Sequence, residues 1–132
     1  MPYQIIEEVA PIEDFLRLRQ VTGLTPRTPE AARIGLPNSL YGIQIVCEQR
    51  VVGMGRVVGD GALNFEVVDI AVEPGHQGQG LGYMIMKNIM NYLDKTAQKS
   101  AYITLMADVP ALYEKFGFEL SRPSSEGMFI VK

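Results

Sequence analysis

The sequence predicts a mixed α/β fold, in which one sheet combines an antiparallel N-terminal meander with a parallel central pair and flanking helices. A chain of 132 residues is the length of one domain. Two β-rich runs, residues 41–48 and 51–58, are joined by Gln49-Arg50 and predict a hairpin. The order strand, loop, helix, strand across residues 63–106 predicts a parallel pair, because a helix is the usual crossover between parallel strands. We therefore treat residues 1–132 as a single domain.

The first elements follow from hydrophobic spacing. Residues 12–21 carry apolar side chains at near-helical intervals, with Glu13 and Asp14 early, which is typical of a helix start. A segment rich in glycine, proline and threonine follows at residues 23–37, with a short helix predicted after Pro29.

The central elements surround a glycine-rich loop. The strand predicted at residues 63–72 ends in a nearly continuous apolar run, which favours a position in the middle of the sheet. After the loop, an apolar stripe predicts a helix of about 14 residues, formed by Leu81, Ile85, Ile89 and Tyr92. A short strand at 102–106 and a short helix at 110–116, stopped by Gly117, come next. Residues 118–120 and 128–131 are predicted to pair as closing strands.

Composition excludes several classes of protein. The chain is 47% hydrophobic and 20% charged, as globular proteins are, and its net charge of −3 shows no electrostatic footprint of nucleic-acid binding. No apolar run approaches the roughly 20 residues of a membrane helix, and the acidic start argues against a signal peptide. The single Cys47 cannot form an internal disulfide, which favours a reducing, cytoplasmic compartment.

Four of the 13 glycines (Gly75, Gly78, Gly80 and Gly82) lie in one stretch of eight residues within the loop. A glycine-rich loop that opens a helix exposes backbone N–H groups and suits an anion such as phosphate. A P-loop is excluded because Leu81 occupies the lysine position, and the dinucleotide fingerprint fails because Tyr83 or Ile85 falls where its third glycine belongs. The loop has no acidic cluster, so we expect no metal. A turn that only allows tight strand–helix packing remains the alternative.

Two motifs in order resemble the GNAT superfamily of acetyl-CoA-dependent N-acetyltransferases. The first is Gln77-x-x-Gly80-x-Gly82 after a strand ending Asp69-Ile70-Ala71-Val72, and the second is Tyr113-Glu114-Lys115-Phe116-Gly117-Phe118. The resemblance covers residues 63–118 and implies a GNAT fold with splayed central strands and acetyl-CoA as co-substrate. It implies cofactor contacts from the strand end and from the loop backbone: Ile70, Ala71, Val72, Gln77, Gly78, Gln79, Gly80, Leu81 and Gly82.

The same resemblance implies roles for three side chains. Glu66 is the candidate general base, five residues before Ala71; in a regular strand it would share a face with Ile70, and a solvated carboxylate is the alternative. Asp69, an acid inside an apolar run, is a candidate substrate contact or a brace for a neighbouring loop. Tyr113 matches the family's general acid, and an aromatic of the core is the alternative. Backbone N–H groups of a bulged strand near Ile70 would stabilise the oxyanion.

The resemblance implies direct attack by a primary amine on acetyl-CoA in a ternary complex. We expect a small-molecule amine as acceptor, with a sugar-phosphate amine as a minor candidate. A protein N-acetyltransferase and a non-catalytic CoA-binding module are the alternatives. The segment before Tyr113 lacks the asparagine that many family members use on the pantetheine arm. We expect no nucleic-acid or membrane partner, and a homodimer through the C-terminal strands is compatible with the resemblance.

Overall fold

The computed structural model describes residues 2–132 and contains one five-stranded sheet with helices on both faces. The strands are β1 (Tyr3–Ile6), β2 (Tyr41–Cys47), β3 (Arg50–Gly59), β4 (Asn64–Val72) and β5 (Tyr102–Leu105). The helices are α1 (Ile12–Val21), α2 (Pro29–Gly35), α3 (Leu81–Thr96) and α4 (Pro110–Glu114). The strands follow one another across the sheet in chain order; β1 to β4 are antiparallel and β5 is parallel to β4. The predicted mixed sheet is confirmed.

The sheet separates two hydrophobic cores. Against one face, α3 buries the side chains of Leu81, Ile85, Met86, Ile89 and Leu93. Against the other face, Phe15 and Leu18 of α1 pack with Ala32 of α2. Helix α3 is 16 residues long rather than about 14, and its apolar stripe is the one the sequence predicts. It lies close to β3 because Gly55 has no side chain: a Cβ there would stand 2.8 Å from Ile85 Cγ2.

Strand β4 contains a bulge and then loses its outer neighbour. Arg56 on β3 pairs with Val68, and Met54 pairs with Ala71, so two residues of β4 stand opposite one residue of β3. The pairing of β4 with β5 ends at Val67↔Leu105, five residues before β4 ends at Val72. The last part of β4 therefore has an unpaired edge on the β5 side, which agrees with the predicted splay.

Three local predictions differ from the structure. Strand β1 was not expected from the sequence. The hairpin turn is Glu48-Gln49 rather than Gln49-Arg50, because both residues have positive φ (50° and 67°) and Arg50 already pairs with Cys47. The prediction of a closing strand pair is wrong: residues 118–120 and 128–131 form no strand, and the side chains of residues 128–131 stay exposed instead of packing on the sheet. Among residues 2–132, no helix is both long and apolar enough to span a membrane.

Candidate functional site

The loop of residues 73–82 connects β4 to α3 and is shaped by two left-handed glycines. Gly78 and Gly80 have φ of 79° and 81°, a region that only glycine occupies without cost. A Cβ built on either residue would meet no atom within 4 Å. The two glycines therefore leave open space at the start of α3, where a side chain would otherwise project.

The same loop presents a row of backbone N–H groups with no acceptor. The first hydrogen bond of α3 runs from Met84 N to Gly80 O at 3.0 Å. Within residues 2–132, none of the six amides from Gly78 to Tyr83 donates to a protein acceptor, and no side chain caps the helix at Gly80. Unpaired amides at a helix N-terminus attract anions. We name these six amides the anion cradle, since they are donors of the kind that a diphosphate needs.

Two side chains hold the loop in position, Gln77 of the loop itself and Tyr3 of β1. Gln77 Nε2 donates to Val72 O at 2.9 Å, which ties the loop to the end of β4. The Tyr3 hydroxyl of β1 lies 2.8 Å from His76 Nδ1 and donates to Gln79 Oε1 at 3.1 Å. The loop is therefore anchored at both flanks, and His76 is part of an anchor rather than a free loop residue.

Glu73, the first residue of the loop, lies between two arginines. Arg17 Nη1 and Arg50 Nη2 each donate to Glu73 Oε1 at 2.7 Å. The hydrogen bond from Arg50, with the charges of both arginines, lowers the pKa of Glu73 against the opposing effect of burial. A carboxylate held ionised here joins α1 and β3 to the loop.

The bulge brings Asp69 onto the α1 face of the sheet, where it meets two arginines. Asp69 has φ of 59°; its Oδ1 accepts a hydrogen bond from Arg19 Nη1, and its Oδ2 accepts one from Arg56 Nε at 2.5 Å. The side chains of Arg19 and Asp69 are only 6% and 7% exposed. Both carboxylate oxygens are thus engaged by protein, as expected of a brace. We name Arg19, Arg56 and Asp69 the clamp.

The bulge also decides which face Glu66 occupies. Glu66 pairs with Val58 and Thr104, and its neighbours Phe65 and Val67 point into the α3 core. Beyond the bulge, Ile70 packs against the α3 core. Glu66 therefore lies on the α1 face, opposite to Ile70 and not beside it as a regular strand would place it. Its carboxylate is half-buried and makes no side-chain hydrogen bond within residues 2–132.

Helix α4 brings the second motif against the first. A Cβ on Gly82 would lie 3.6 Å from Leu112 Cδ2, and the rings of Tyr83 and Phe116 have centroids 5.0 Å apart. Tyr113 is half-buried against the α3 core. Burial, together with the negative charge of Asp108, raises the pKa of its phenol. A phenol in this state keeps its proton and can donate it.

A cavity of about 620 Å³ lies on the far side of β5. Its walls are β5, α4 and residues 117–127, and they include Tyr113. No residue of β4 or of the glycine loop lines it. The cavity is therefore separate from the anion cradle, although Tyr113 borders it.

The structure gathers most of the predicted site residues at one end of β4. Ile70, Ala71 and Val72 form the strand end, the loop residues follow directly, and the helix of Tyr113 abuts the loop. Glu66 and Asp69 share the α1 face of the strand.

Sequence reasoning missed Tyr3, Arg19 and Arg56. A signal existed for Arg19, because it lies four residues after Phe15 on the buried stripe of α1, where an arginine needs a buried partner. Tyr3 had no such signal, since its hydrogen-bond partners lie 73 and 76 residues away in the chain.

Comparison with known proteins gives consistent results. The model of a GNAT acetyltransferase domain matches residues 41–120. A solved probable acetyltransferase of unknown function from meticillin-resistant Staphylococcus aureus is 43% identical, with a TM-score of 0.94 over 98% of this chain and 99% of that chain.

Two curated relatives are also similar. The histone acetyltransferase TAP1 of Glycine max is 37% identical over 62% of this chain and 36% of its own length. The uncharacterized N-acetyltransferase ycf52 of Gracilaria tenuistipitata is 30% identical over 89% of this chain and 67% of its own. The chain spans about a third of the length of the first of these relatives.

Proposed function

The chain belongs to the GNAT acetyltransferase family, and we propose on that basis that it is an N-acetyltransferase that moves an acetyl group from acetyl-CoA to a small primary amine. The observation that carries the proposal is the row of unpaired amides at the start of α3, directly after the unpaired edge of β4. A CoA thioester needs both features. Its diphosphate requires donors, and its amide-containing arm requires an open strand edge.

The reaction requires three proton and charge movements. The attacking amine loses a proton, the carbonyl oxygen becomes an oxyanion, and the C–S bond breaks to release a CoA thiolate that takes up a proton. In the proposal Tyr113 supplies that last proton, and the raised pKa of its phenol supports the role. Backbone N–H groups at the bulge near Ile70 stabilise the oxyanion. Glu66, directly or through a water, receives the proton of the amine.

A small acceptor is favoured by the way residues 23–37 fold. A peptide acceptor would need this segment to be short or displaced, so that a cleft stays open over the α1 face of the sheet. Instead the segment carries α2, whose Ala32 is buried, and continues into a short 3₁₀ turn whose Leu36 is buried as well. Packed structure therefore covers part of the acceptor side, which supports a small acceptor.

A second candidate is transfer to a protein amine. It is favoured by the relative from Glycine max, which is named a histone acetyltransferase. Both candidates use the same donor site and differ only in the acceptor.

The decisive experiment measures release of free CoA thiol with a panel of acceptors. The panel pairs small alkyl and arylalkyl amines and an amino sugar phosphate with lysine-containing peptides, and mass spectrometry identifies each acetylated product. Binding of acetyl-CoA is measured in parallel by calorimetry. We expect thiol release with a small amine, accompanied by a mass increase of one acetyl group on that amine.

The other outcomes separate the alternatives. Release with peptides only would replace the small-amine proposal with the protein acceptor. Tight binding of acetyl-CoA without turnover on any amine would make the chain a CoA-binding module. Absence of acetyl-CoA binding would overturn the donor site itself.

A further inference from the structure

The α1 face of β3 and β4 is covered at one end and open at the other. Met54 of β3 and Ala71 of β4 are buried in the core that α1 and α2 form with the sheet. Towards the start of β4, three side chains on the same face are only partly buried: Val58, Glu66 and Val68. We name these three residues the acceptor floor, because Glu66 is the group that receives the proton of the amine in the proposed reaction.

Two oppositely charged side chains on this side of the sheet have no partner. Glu66 makes no side-chain hydrogen bond and no ion pair within residues 2–132. Arg27 lies in the connection between α1 and α2, where its side chain is exposed and makes neither kind of contact with the described part of the chain. One carboxylate and one guanidinium are therefore available to a ligand.

The connection fixes the backbone on both sides of Arg27. Arg19 Nε donates to Thr25 O at 2.8 Å, two residues before it. Thr28 Oγ1, one residue after it, accepts a hydrogen bond from Ala31 N at 3.1 Å as α2 begins. Arg27 therefore projects from a short stretch that is anchored at each end.

Arg27 lies beside the clamp. Burial lowers the pKa of Arg19, against the opposing charge of Asp69, and the charges of Arg27 and Arg56 lower it further. Three guanidinium groups are thus gathered around the carboxylate of Asp69. Arg56 uses Nε for Asp69 and Nη1 for Ser39, which leaves part of its five N–H donors unused. Its side chain is 19% exposed, so these donors can reach a ligand.

The clamp adjoins the acceptor floor. Arg56 pairs with Val68 across the two strands, and Glu66 is the next residue of β4 on the same face. Such diagonal neighbours are about 7–8 Å apart, so one small molecule can contact both side chains. A plain alkylammonium would be attracted by Glu66 and repelled by the guanidinium groups. An acceptor that also carries a carboxylate replaces this repulsion with charge-assisted hydrogen bonds, which guanidinium groups form well.

We propose that the acceptor is a small amino acid, whose carboxylate binds Arg27 and Arg56 while its amine faces Glu66. One ammonium and one carboxylate match the one anion and the one cation that lack partners on this side of the sheet. The inference rests on the proposed function and leaves its chemistry unchanged: the amine nitrogen bonds to the acetyl carbon, the C–S bond breaks, and the carboxylate of the acceptor takes no part. Arg27 is then a specificity-determining residue.

The first test compares acceptors that differ in charge, by release of free CoA thiol and by mass spectrometry of the product. Glycine, β-alanine and γ-aminobutyrate vary the distance between amine and carboxylate, and each is paired with its uncharged amide. A diamine and an aminoalkyl phosphate of similar length complete the set. We expect the best carboxylate to have a kcat/KM at least about 10-fold above that of its amide, because charge-assisted hydrogen bonds contribute a factor of this size. The diamine and the phosphate should both fall below that carboxylate.

The second test reverses the charge at Arg27. Arg27→Glu should lower kcat/KM for the best carboxylate by about 10-fold or more, raise it for the diamine, and leave the KM for acetyl-CoA unchanged. The exposed position of Arg27 makes loss of folding an unlikely cause, and a circular dichroism spectrum checks this. Arg33→Glu is the matched control: it makes the same change of charge on α2, at a side chain that is 61% exposed and paired with Glu30. This control should keep the acceptor preference of the unaltered chain.

The failures of the two proposals can be told apart. An amide as good as every carboxylate, a phosphate better than every carboxylate, or equal losses in Arg27→Glu and Arg33→Glu would each overturn the amino-acid acceptor and leave the acetyltransferase standing. A chain that binds acetyl-CoA but acetylates no amine of any charge would overturn the proposed function, and this inference with it.

Discussion

The two sides of β4 differ in how many of their polar groups have partners within the chain. On the α1 side, two carboxylates are held by arginines of the same chain: Asp69 lies between Arg19 and Arg56, and Glu73 lies between Arg17 and Arg50. On the β5 side, the loop amides and the last part of the β4 edge have no hydrogen-bond partner within residues 2–132. The closed side positions the strand, and the open side is where the proposal places acetyl-CoA. Substitutions should therefore lower stability on the closed side and lower binding or turnover on the open side.

The largest effect is expected at the clamp. Asp69→Ala leaves the guanidinium groups of Arg19 and Arg56 buried without a carboxylate, and breaking a buried ion pair costs about 3–5 kcal/mol. The measurement is the free energy of unfolding from urea denaturation. The matched control is Glu30→Ala, which removes an ion pair with Arg33 whose side chains are 75% and 61% exposed, and such pairs contribute little. An equal loss of unfolding free energy in both variants would show that the buried clamp stabilises the fold no more than an exposed ion pair does.

On the open side, Tyr113→Phe is expected to reduce turnover without reducing stability. Loss of a general acid lowers the rate by about 100-fold or more, and the phenol makes no side-chain hydrogen bond within residues 2–132 that folding would lose. Steady-state kinetics should show a fall in kcat at constant acetyl-CoA affinity. Tyr83→Phe is the control, since Tyr83 is 47% exposed on α3. A Tyr113→Phe enzyme with full kcat would remove the acid role.

The pH profile of kcat gives an independent check on Tyr113. Its pKa is raised above the ordinary phenol value of about 10, so the protonated form persists as pH rises. Turnover should decline only above that ordinary value, as the phenol ionises at its raised pKa. A decline attributable to Tyr113 at lower pH would contradict the direction of the shift.

Gly80→Asp should weaken acetyl-CoA binding by at least about 10-fold. The left-handed conformation costs a non-glycine residue roughly 1–2 kcal/mol, and the new carboxylate would face the diphosphate in the cradle. Calorimetry measures the affinity. Gly23→Asp is a close control because Gly23 has nearly the same φ, 79°, and equally open surroundings, yet it lies outside the loop. Comparable weakening by both variants would assign the effect to backbone strain alone.

The smallest effect is expected at Tyr3 of β1, which anchors the loop. Tyr3→Phe removes the contacts to His76 and Gln79, and a hydrogen bond of this kind contributes about 1 kcal/mol. The KM for acetyl-CoA should rise by about fivefold, while kcat stays unchanged. Tyr102→Phe, on a residue 60% exposed at the other edge of the sheet, should leave the KM unchanged. An unchanged KM in Tyr3→Phe would show that Gln77 alone positions the loop.

Local patterns predicted most of the fold, and long-range pairings account for the failures. The apolar stripe of α3 and the extended run of β4 are encoded by neighbouring residues, so their positions are confirmed within one or two residues. Residues 128–131 are as apolar as a strand, but a strand forms only where a partner edge is available, and nothing local reports that edge. Strand β1 was missed because its pairing is also long-range: its partner β2 begins 38 residues later.

The candidate site shows the same contrast between local patterns, which could be predicted, and long-range structure, which could not. The glycine loop could be predicted because its glycines act through their own backbone conformation. The face of Glu66 could not, since it depends on a bulge that alternation alone conceals. The nearly continuous apolar run at residues 67–72 shows no alternation that would reveal the extra residue.

The bulge has one more consequence, for the number of residues that β4 needs. Phe65, Val67, Ile70 and Val72 all pack towards α3, and they would do so in a regular strand of eight residues that omitted Asp69. The chain supplies nine. Packing of the two cores therefore does not require Asp69, and the surplus residue is the one that carries the carboxylate held by Arg19 and Arg56. The ninth residue therefore adds the clamp to β4 without changing which side chains of the strand face α3.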